Sequence, residues 1–434
     1  MQAIRTSGAV QAWVPRVLRL RRQLWDPEIL LPIVLIGAFA VRAAWLALPP
    51  GTLIFDEAYY VNAARILLGW AVDPGAPYAG ATLGLDPNIE HPPLGKLLLA
   101  GSMAVFGDNG LGWRVPSLLA GMVALGAIHR IVRAAGETAH VAIAVVALLA
   151  FDNLMLVHSR LGMLDMLALA PILVAAWLAI RERWAMAGAL LAIGFLVKIT
   201  AVFGLLALLI ILAARVARAW REDRSAARDG IRAVAVLVVA FTAVAIAGLW
   251  LLDARFTTFA TPFDHLRHMI GYGSSLTASI DHGGICTGIT SAPWQWPFNT
   301  CQINYLRVDA TIVDALGQPA VMPSIDFRGA MNPLLASAIP IASLTVLWRA
   351  WTTRDLLSVW AAAWIAANYL PYVGLVILTG RVTYLYYFLP AVPAIAVATA
   401  ILLFRSGLPR FVGWGYLVAY AAGFFAYFPF RQIP

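Results

Sequence analysis

The chain has 434 residues, 61% hydrophobic and only 12% charged, with a mean hydropathy of +0.79. Soluble globular chains carry about 25% charged residues, so this composition excludes a soluble domain and places the chain among membrane proteins. The net charge of +9 comes from arginines in short segments between apolar stretches, which is a topology signal rather than a nucleic-acid footprint.

A bilayer crossing needs about 20 mainly apolar residues. Scanning for them predicts an all-α polytopic fold with about eleven transmembrane helices, at 28–48, 114–130, 138–157, 162–180, 184–198, 199–214, 231–252, 333–349, 356–378, 383–404 and 411–429. The basic first 25 residues lack a compact apolar core with a small-residue cleavage site, so the first span is expected to serve as an uncleaved signal anchor. The fifth and sixth spans are short and abut at Lys198. They read either as two half-depth segments or as a junction dipping into the bilayer. Arg5, Arg16, Arg19, Arg21 and Arg22 precede the first span and put the N-terminus in the cytoplasm. With eleven crossings, Arg130 and Arg133, Arg181 and Arg183, the Arg215–Arg232 loop, Arg349 and Arg354, and Arg405 and Arg410 fall on that same side. Two long segments, 49–113 and 253–332, then lie on the outer face. No internal repeat or separate soluble domain is evident, so residues 1–434 read as a single membrane domain.

The first outer loop begins with F-D-E-A-Y-Y at 55–60. Two adjacent carboxylates, Asp56 and Glu57, at a membrane surface suit a general base with a supporting neighbour; the structural alternative is an interfacial acidic turn or cap. Ala58 to Trp70 is amphipathic at helical spacing and is expected to lie along the membrane. H-P-P-L-G-K follows at 91–96. Its prolines bar helix before Pro93, giving either a plain helix start or a rigid corner that presents His91 and Lys96 to an anionic group. Residues 94–106 are apolar but too short for an ordinary span and read as a re-entrant or interfacial helix.

Farther along, F-D-N-L-M-L-V-H-S-R-L-G-M-L-D at 151–165 brings Asp152, His158, Arg160 and Asp165 to the outer edge. Ionisable residues there are functional candidates, with structural salt bridges to Arg160 or Arg114 as the alternative. Arg114, Lys198 and Arg381 also fall near the outer side, where guanidinium forks suit a phosphate and lipid headgroup contact is the simpler reading. The second outer loop holds Cys286 and Cys301, which read either as a disulfide, if that face is oxidising, or as two unpaired thiols. It also holds S-A-P-W-Q-W-P-F at 291–298, where Trp294 and Trp296 either anchor the loop in the interface or stack on a sugar or acceptor peptide. No His/Cys/Asp/Glu spacing demands a metal.

Taken in order, these motifs resemble the protein O-mannosyltransferase family. The residues that carry the resemblance are Asp56-Glu57, H-P-P-L-G-K at 91–96, Arg114 in W-R-V-P-S, Arg160 and Asp165 in S-R-L-G-M-L-D, P-W-Q-W-P at 293–297, N-Y-L-P at 368–371, and Arg381 followed by Y-L-Y-Y-F-L-P at 384–390. The resemblance implies a C-type glycosyltransferase membrane core with its site under the first outer loop and two long outer loops bearing short amphipathic helices. It implies Asp56 as catalytic base with Glu57 in support, and Arg381, helped by Arg160, Lys96, Lys198 and Arg114, on the phosphate of the lipid carrier. His91, Asp165, Trp294 and Trp296 are the expected sugar or acceptor contacts. The expected donor is polyprenyl-phosphate mannose, with no further cofactor. The expected acceptor is a protein or peptide, a translocon being one source of it, and membrane lipids are the surroundings. An inner-membrane location with an extracytoplasmic site follows. Two departures stand out: the second loop has no room for the β-trefoil of eukaryotic members, and Glu90 before His91 follows P-N-I. The alternatives are a lipid-modifying sugar transferase of the aminoarabinose type and, from another class, a lipid or solute transporter, whose charges belong mid-span in repeated halves.

Overall fold

The computed structural model describes residues 26–277, 288–313 and 317–431. Helix occupies each of the eleven predicted segments. In chain order the elements are α1 (Pro27–Ala43), α2 (Glu57–Leu67), α3 (Leu94–Phe106), α4 (Gly110–Ala134), α5 (Ala139–Ala150), α6 (Asn153–His158), α7 (Leu164–Ile180), α8 (Trp184–Val197), α9 (Val202–Glu222), α10 (Arg224–Phe256) and α11 (Pro262–Ser275). A hairpin of β1 (Ile303–Val313) and β2 (Pro319–Gly329) follows, then α12 (Pro333–Thr352), α13 (Leu356–Thr379), α14 (Val392–Arg405) and α15 (Arg410–Ala426). Short polar side chains start many of these helices by accepting from orphan backbone N–H groups: Asn109 for α4, Thr138 for α5, Asp152 for α6, Asp223 for α10, Thr261 for α11, Asn332 for α12 and Asp355 for α13.

Among the described residues, six helices are long and apolar enough to cross a membrane: Gly110–Ala134, Ile199–Glu222, Arg224–Phe256, Pro333–Thr352, Leu356–Thr379 and Leu385–Arg405. The chain is an integral membrane protein. Helix α7 is the centre of the packing. It is apolar all round, as a helix without a solvent or lipid face must be, and nearly every residue from Leu164 to Ala179 is buried. It packs on α4 and α8, and α8 in turn lies along α10. At that second crossing Gly188 lets the backbones meet: a Cβ there would fall 2.4 Å from Leu237 O and 2.9 Å from Phe241 N. The predicted junction at Lys198 is a real break. The α8 helix stops at Val197, Lys198 is extended (φ −152°, ψ 127°), and a 3-10 turn at Ile199–Ala201 leads into α9.

The first long loop folds as α2 and α3, as the amphipathic pattern predicts. It is fastened to the far end of α10, where Asp86 N donates to Phe256 O (2.7 Å). His265 of α11 adds a second tie, bridging Asp253 (2.6 Å) and Ile89 O (2.9 Å). The second long loop departs from the all-helical expectation. Besides α11 and a 3-10 turn at Pro293–Phe298, it contains the antiparallel β1–β2 ribbon. Its first strand, I-N-Y-L-R-V-D-A-T-I-V, holds β-branched residues that suit an extended chain, but they stand in a segment whose turn residues read as irregular. Pro429 to Arg431 complete the ribbon's other edge, with Asp326 N bonded to Pro429 O and Arg431 N to Ser324 O. Cys301 is disulfide-bonded; Cys286 lies outside the described residues.

The Gly188 contact is made by backbone, which cannot yield as a side-chain end can. Gly188→Ala should therefore lower unfolding stability by about 1–3 kcal/mol. Gly101→Ala, on a helix with nothing within 4 Å of the added methyl, should leave it unchanged or slightly raised. Intrinsic-fluorescence melts of the two variants in detergent check this, and equal melting behaviour would refute it.

Candidate active site

Glu57 begins α2, and its carboxylate is wholly buried. Oε1 accepts from Arg114 Nε (2.9 Å) and Gly162 N (2.8 Å), and Oε2 accepts from Arg114 Nη2 (2.9 Å) and Ile54 N (2.8 Å). Arg114 sends its remaining N–H groups to Leu46 O, Leu48 O and Thr52 O (2.9, 2.9 and 3.0 Å). The fork is thus fully committed inside the protein, and neither residue has a group left to meet a ligand. Gly162 is bare because Trp113 O lies 2.7 Å from where its Cβ would be. That close approach brings the α6–α7 turn within reach of Glu57.

Asp56 behaves differently from its neighbour. It is half-buried, and its carboxylate makes no hydrogen bond or ion pair with a described residue. It follows Phe55, a bulky residue held at φ +57°, in the left-handed region that such side chains seldom occupy. Burial raises its carboxyl to about 6; Lys198 opposes that rise and Asp165 adds to it. Asp165 and Lys198 form a buried pair at 2.6 Å. The Lys198 ammonium also lies 5.5 Å from the Tyr386 ring and 5.9 Å from Tyr387. Asp165 and Lys198 thus form a charged cluster whose field reaches Asp56, with tyrosines from Y-L-Y-Y-F-L-P beside it.

The H-P-P-L-G-K corner is rigid, but its lysine turns inward. Lys96 pairs with Asp86 (2.6 Å) and donates to Asn88 O and to His91 O (2.7 Å), so all three of its N–H groups are committed within the loop. Gly95 allows α3 to cross the end of α8, since a Cβ there would meet Leu164 Cδ2 at 2.6 Å and Val197 Cγ1 at 3.0 Å. His91 keeps a buried Nδ1 without a hydrogen-bond partner, and burial together with Lys198, Lys96 and Arg381 pushes the imidazole well below its usual range. It is neutral at pH 7.

The other expected residues divide in the same way. Arg160 donates to Val41 O and Ala44 O (both 2.6 Å), capping the orphan carbonyls at the end of α1. Trp296 is fully buried against Tyr369, Tyr372, Tyr387 and Phe388, with its indole N–H on Ser291 (2.9 Å). Its faces are packed, so the stacking expected of it has no room here, whereas Trp294 is 45% exposed. Arg381 is half-buried, and no hydrogen bond or carboxylate among the described residues engages its guanidinium. Its backbone pairs with Thr277 beyond α11, and its charge reaches Tyr272, Tyr372, Tyr384 and His91. The charges of Arg381 and Asp56 thus both reach Tyr384. Among the described residues no group of three or more His, Cys, Asp or Glu could hold a metal ion.

Sequence reading missed Tyr305 altogether and gave His158 no role of its own. The two are hydrogen-bonded in the core (2.9 Å), and His158 Nδ1 faces Asp165 Oδ2 at 3.8 Å. A tyrosine in a strand of a loop read as irregular left no signal to find.

A helical membrane core with an acidic turn under two long loops is the fold of the C-type glycosyltransferases. The chain is similar over 93% of its length to the S. cerevisiae protein O-mannosyltransferase Pmt1-Pmt2 complex bound to the sugar donor (TM-score 0.66, 12% identity, 89% of that chain). It is also similar over 92% of its length to ArnT from Cupriavidus metallidurans bound to undecaprenyl phosphate (TM-score 0.58, 16% identity, 63% of that chain). By sequence, residues 90–250 match the family described as dolichyl-phosphate-mannose-protein mannosyltransferase. The chain is 36% identical over 159 residues to the polyprenol-phosphate-mannose–protein mannosyltransferase of Corynebacterium glutamicum, and 37% identical over 116 residues to that of Mycobacterium tuberculosis. The matched stretches span 35% and 26% of this chain, and 29% and 21% of those two proteins. Sequence and fold thus bear out the resemblance carried by the motifs.

An Asp56 carboxyl at about 6 is half-protonated in mildly acidic buffer. A hydrophobic carbodiimide, which attacks the protonated acid, should label Asp56 below that pH and spare it above, as read by peptide mass spectrometry. A labelling midpoint at the ordinary 3.8 would contradict the burial described.

Proposed function

We propose that this protein is an inverting glycosyltransferase that moves mannose from a polyprenyl-phosphate carrier to Ser or Thr hydroxyls of proteins, at the extracytoplasmic face of the plasma membrane, with its N-terminus cytoplasmic. The observation that carries the reading is the contrast within one dipeptide. Glu57 is saturated by internal hydrogen bonds, while Asp56 is left unbonded, half-exposed and raised towards neutrality beside Lys198.

The chemistry follows from that contrast. An acceptor hydroxyl oxygen attacks the anomeric carbon of the donor from the face opposite the phosphate. The bond from that carbon to the phosphate oxygen breaks, its electron pair staying with the phosphate, and the β-linked sugar becomes α-linked. The hydroxyl proton passes to Asp56, whose raised pKa makes it a stronger base than a free carboxylate. A phosphate leaving group needs no protonating acid, so one carboxylate suffices. Negative charge growing on the phosphate is best met by a cation with unused donors, which favours Arg381, with Lys198 nearby. Arg114 and Lys96 hold the surrounding structure, because their N–H groups are already engaged, and Arg160 is turned to the end of α1 by its bonds to Val41 O and Ala44 O. His91, neutral and with one unbonded nitrogen, and Trp294 remain available to sugar or acceptor. The sequence matches to polyprenol-phosphate-mannose-using enzymes favour mannose and a protein acceptor over a lipid acceptor.

Asp56→Asn keeps the side chain's shape and removes the base. It should cut transfer from polyprenyl-phosphate mannose to a Ser/Thr peptide by about 10²–10⁴-fold while leaving donor binding intact. Turnover at the wild-type rate by that variant would sink the assignment. Arg381→Ala should raise the KM for the donor by about tenfold or more, the cost of one charge-assisted contact, in the same radiolabel-transfer assay. An unchanged KM would remove Arg381 from the phosphate.

A further inference from the structure

Tyr305 of β1 joins the ribbon to Phe55 and His158. Asn304 pairs with Arg328 and Leu306 with Phe327, which leaves Tyr305 as the extra residue of a β-bulge. Bulges re-aim side chains and increase local twist, and here Tyr305 turns inward and is 6% exposed. Gly329 on β2 makes room for it: a Cβ there would lie 2.6 Å from both Cζ and Oη of the tyrosine. The ring stacks on Phe55, centroids 4.4 Å apart and planes 25° apart, and Tyr386 meets the same Phe55 edge-on at 5.9 Å. The hydroxyl bonds His158 Nε2 at 2.9 Å. Beyond it His158 Nδ1 and Asp165 Oδ2, both buried and without a hydrogen-bond partner, face each other at 3.8 Å, and Asp165 holds Lys198 at 2.6 Å.

Two arms therefore leave Tyr305: one ends at the residue before Asp56, the other at Lys198, whose charge reaches Asp56. One runs through the ring to Phe55, the left-handed residue that precedes Asp56. The other runs through the hydroxyl to His158, Asp165 and Lys198. A bulky residue at positive φ persists only where its surroundings hold it there, and the Tyr305 stack is such a hold. Tyr305 also lies outside residues 90–250, the stretch that matches the family.

We propose that Tyr305 is a positioning residue for Asp56, its ring fixing the turn at Phe55 and its hydroxyl fixing the His158–Asp165–Lys198 chain, so that the second long loop sets the geometry of the first. The proposal rests on Asp56 being the base.

The test uses the full chain in lipid nanodiscs with polyprenyl-phosphate mannose and a Ser/Thr peptide, comparing wild type, Tyr305→Phe and Tyr305→Ala. Tyr305→Phe keeps the stack and loses one hydrogen bond, and should lower kcat by about tenfold with the donor KM within about twofold, because KM reports binding rather than alignment. Tyr305→Ala loses both arms and should lower kcat by about 100-fold, the scale of a small misplacement. Water entering the gap should also lower the pH midpoint of carbodiimide labelling at Asp56, since hydration favours the charged form; Tyr305→Phe should keep the wild-type midpoint. Wild-type kcat in Tyr305→Ala, or equal losses in both variants with a raised donor KM, would overturn the proposal. The labelling needs no turnover. If wild type transfers no sugar, the reading of the reaction fails, and the midpoints alone decide Tyr305: a lowered value in Tyr305→Ala supports it and an unchanged one refutes it.

Discussion

The Glu57–Arg114 pair is the constraint from which the site is built. Two parallel N–H···O bonds join a carboxylate and a guanidinium that are both cut off from water. An ion pair in such a place is tolerable only if its remaining lone pairs and protons are satisfied. Here they are, by the carbonyls of Leu46, Leu48 and Thr52 and by the amides of Ile54 and Gly162. Those partners come from the exit of α1, the start of the first loop and the α6–α7 turn. One side-chain pair thus joins segments far apart in sequence and fixes where α2 starts. Asp56, one residue earlier, takes its place from that.

The same economy governs the other charges. Lys96 closes its own loop onto Asp86, Arg160 caps α1, and His265 ties α11 to Asp253 and Ile89. Each of these charges offsets desolvation with hydrogen bonds to backbone or a counter-ion. Asp56, Arg381 and one nitrogen of His91 stand outside this pattern, and the charges of Asp56 and Arg381 both reach Tyr384.

The helical scaffold was legible because hydropathy is a one-dimensional property, and Arg130, Arg181 or Arg405 follow apolar runs whatever the chain packs against. The break at Lys198 was legible too, as two abutting apolar runs, although the second, read as short over 199–214, continues to Glu222 and is long enough to cross. The ribbon was not, because its alternation is short and lies in a segment rich in turn residues. Nor was the division of labour among the cations. Arg114 and Arg381 look alike in sequence, yet one is saturated and the other keeps its donors, and only the packing of Leu46, Leu48 and Thr52 around Arg114 makes the difference.

The sequence by itself determined the membrane class, the positions of the helices, and the motif set led by Asp56-Glu57 and H-P-P-L-G-K, since these depend on composition and local order. The tertiary structure alone decided which acid of the pair is buried and bonded, which cations are free, and that a tyrosine from a β-bulge far along the chain lies against the turn that carries Asp56. Those outcomes depend on desolvation and hydrogen-bond satisfaction between distant segments, which local sequence does not encode.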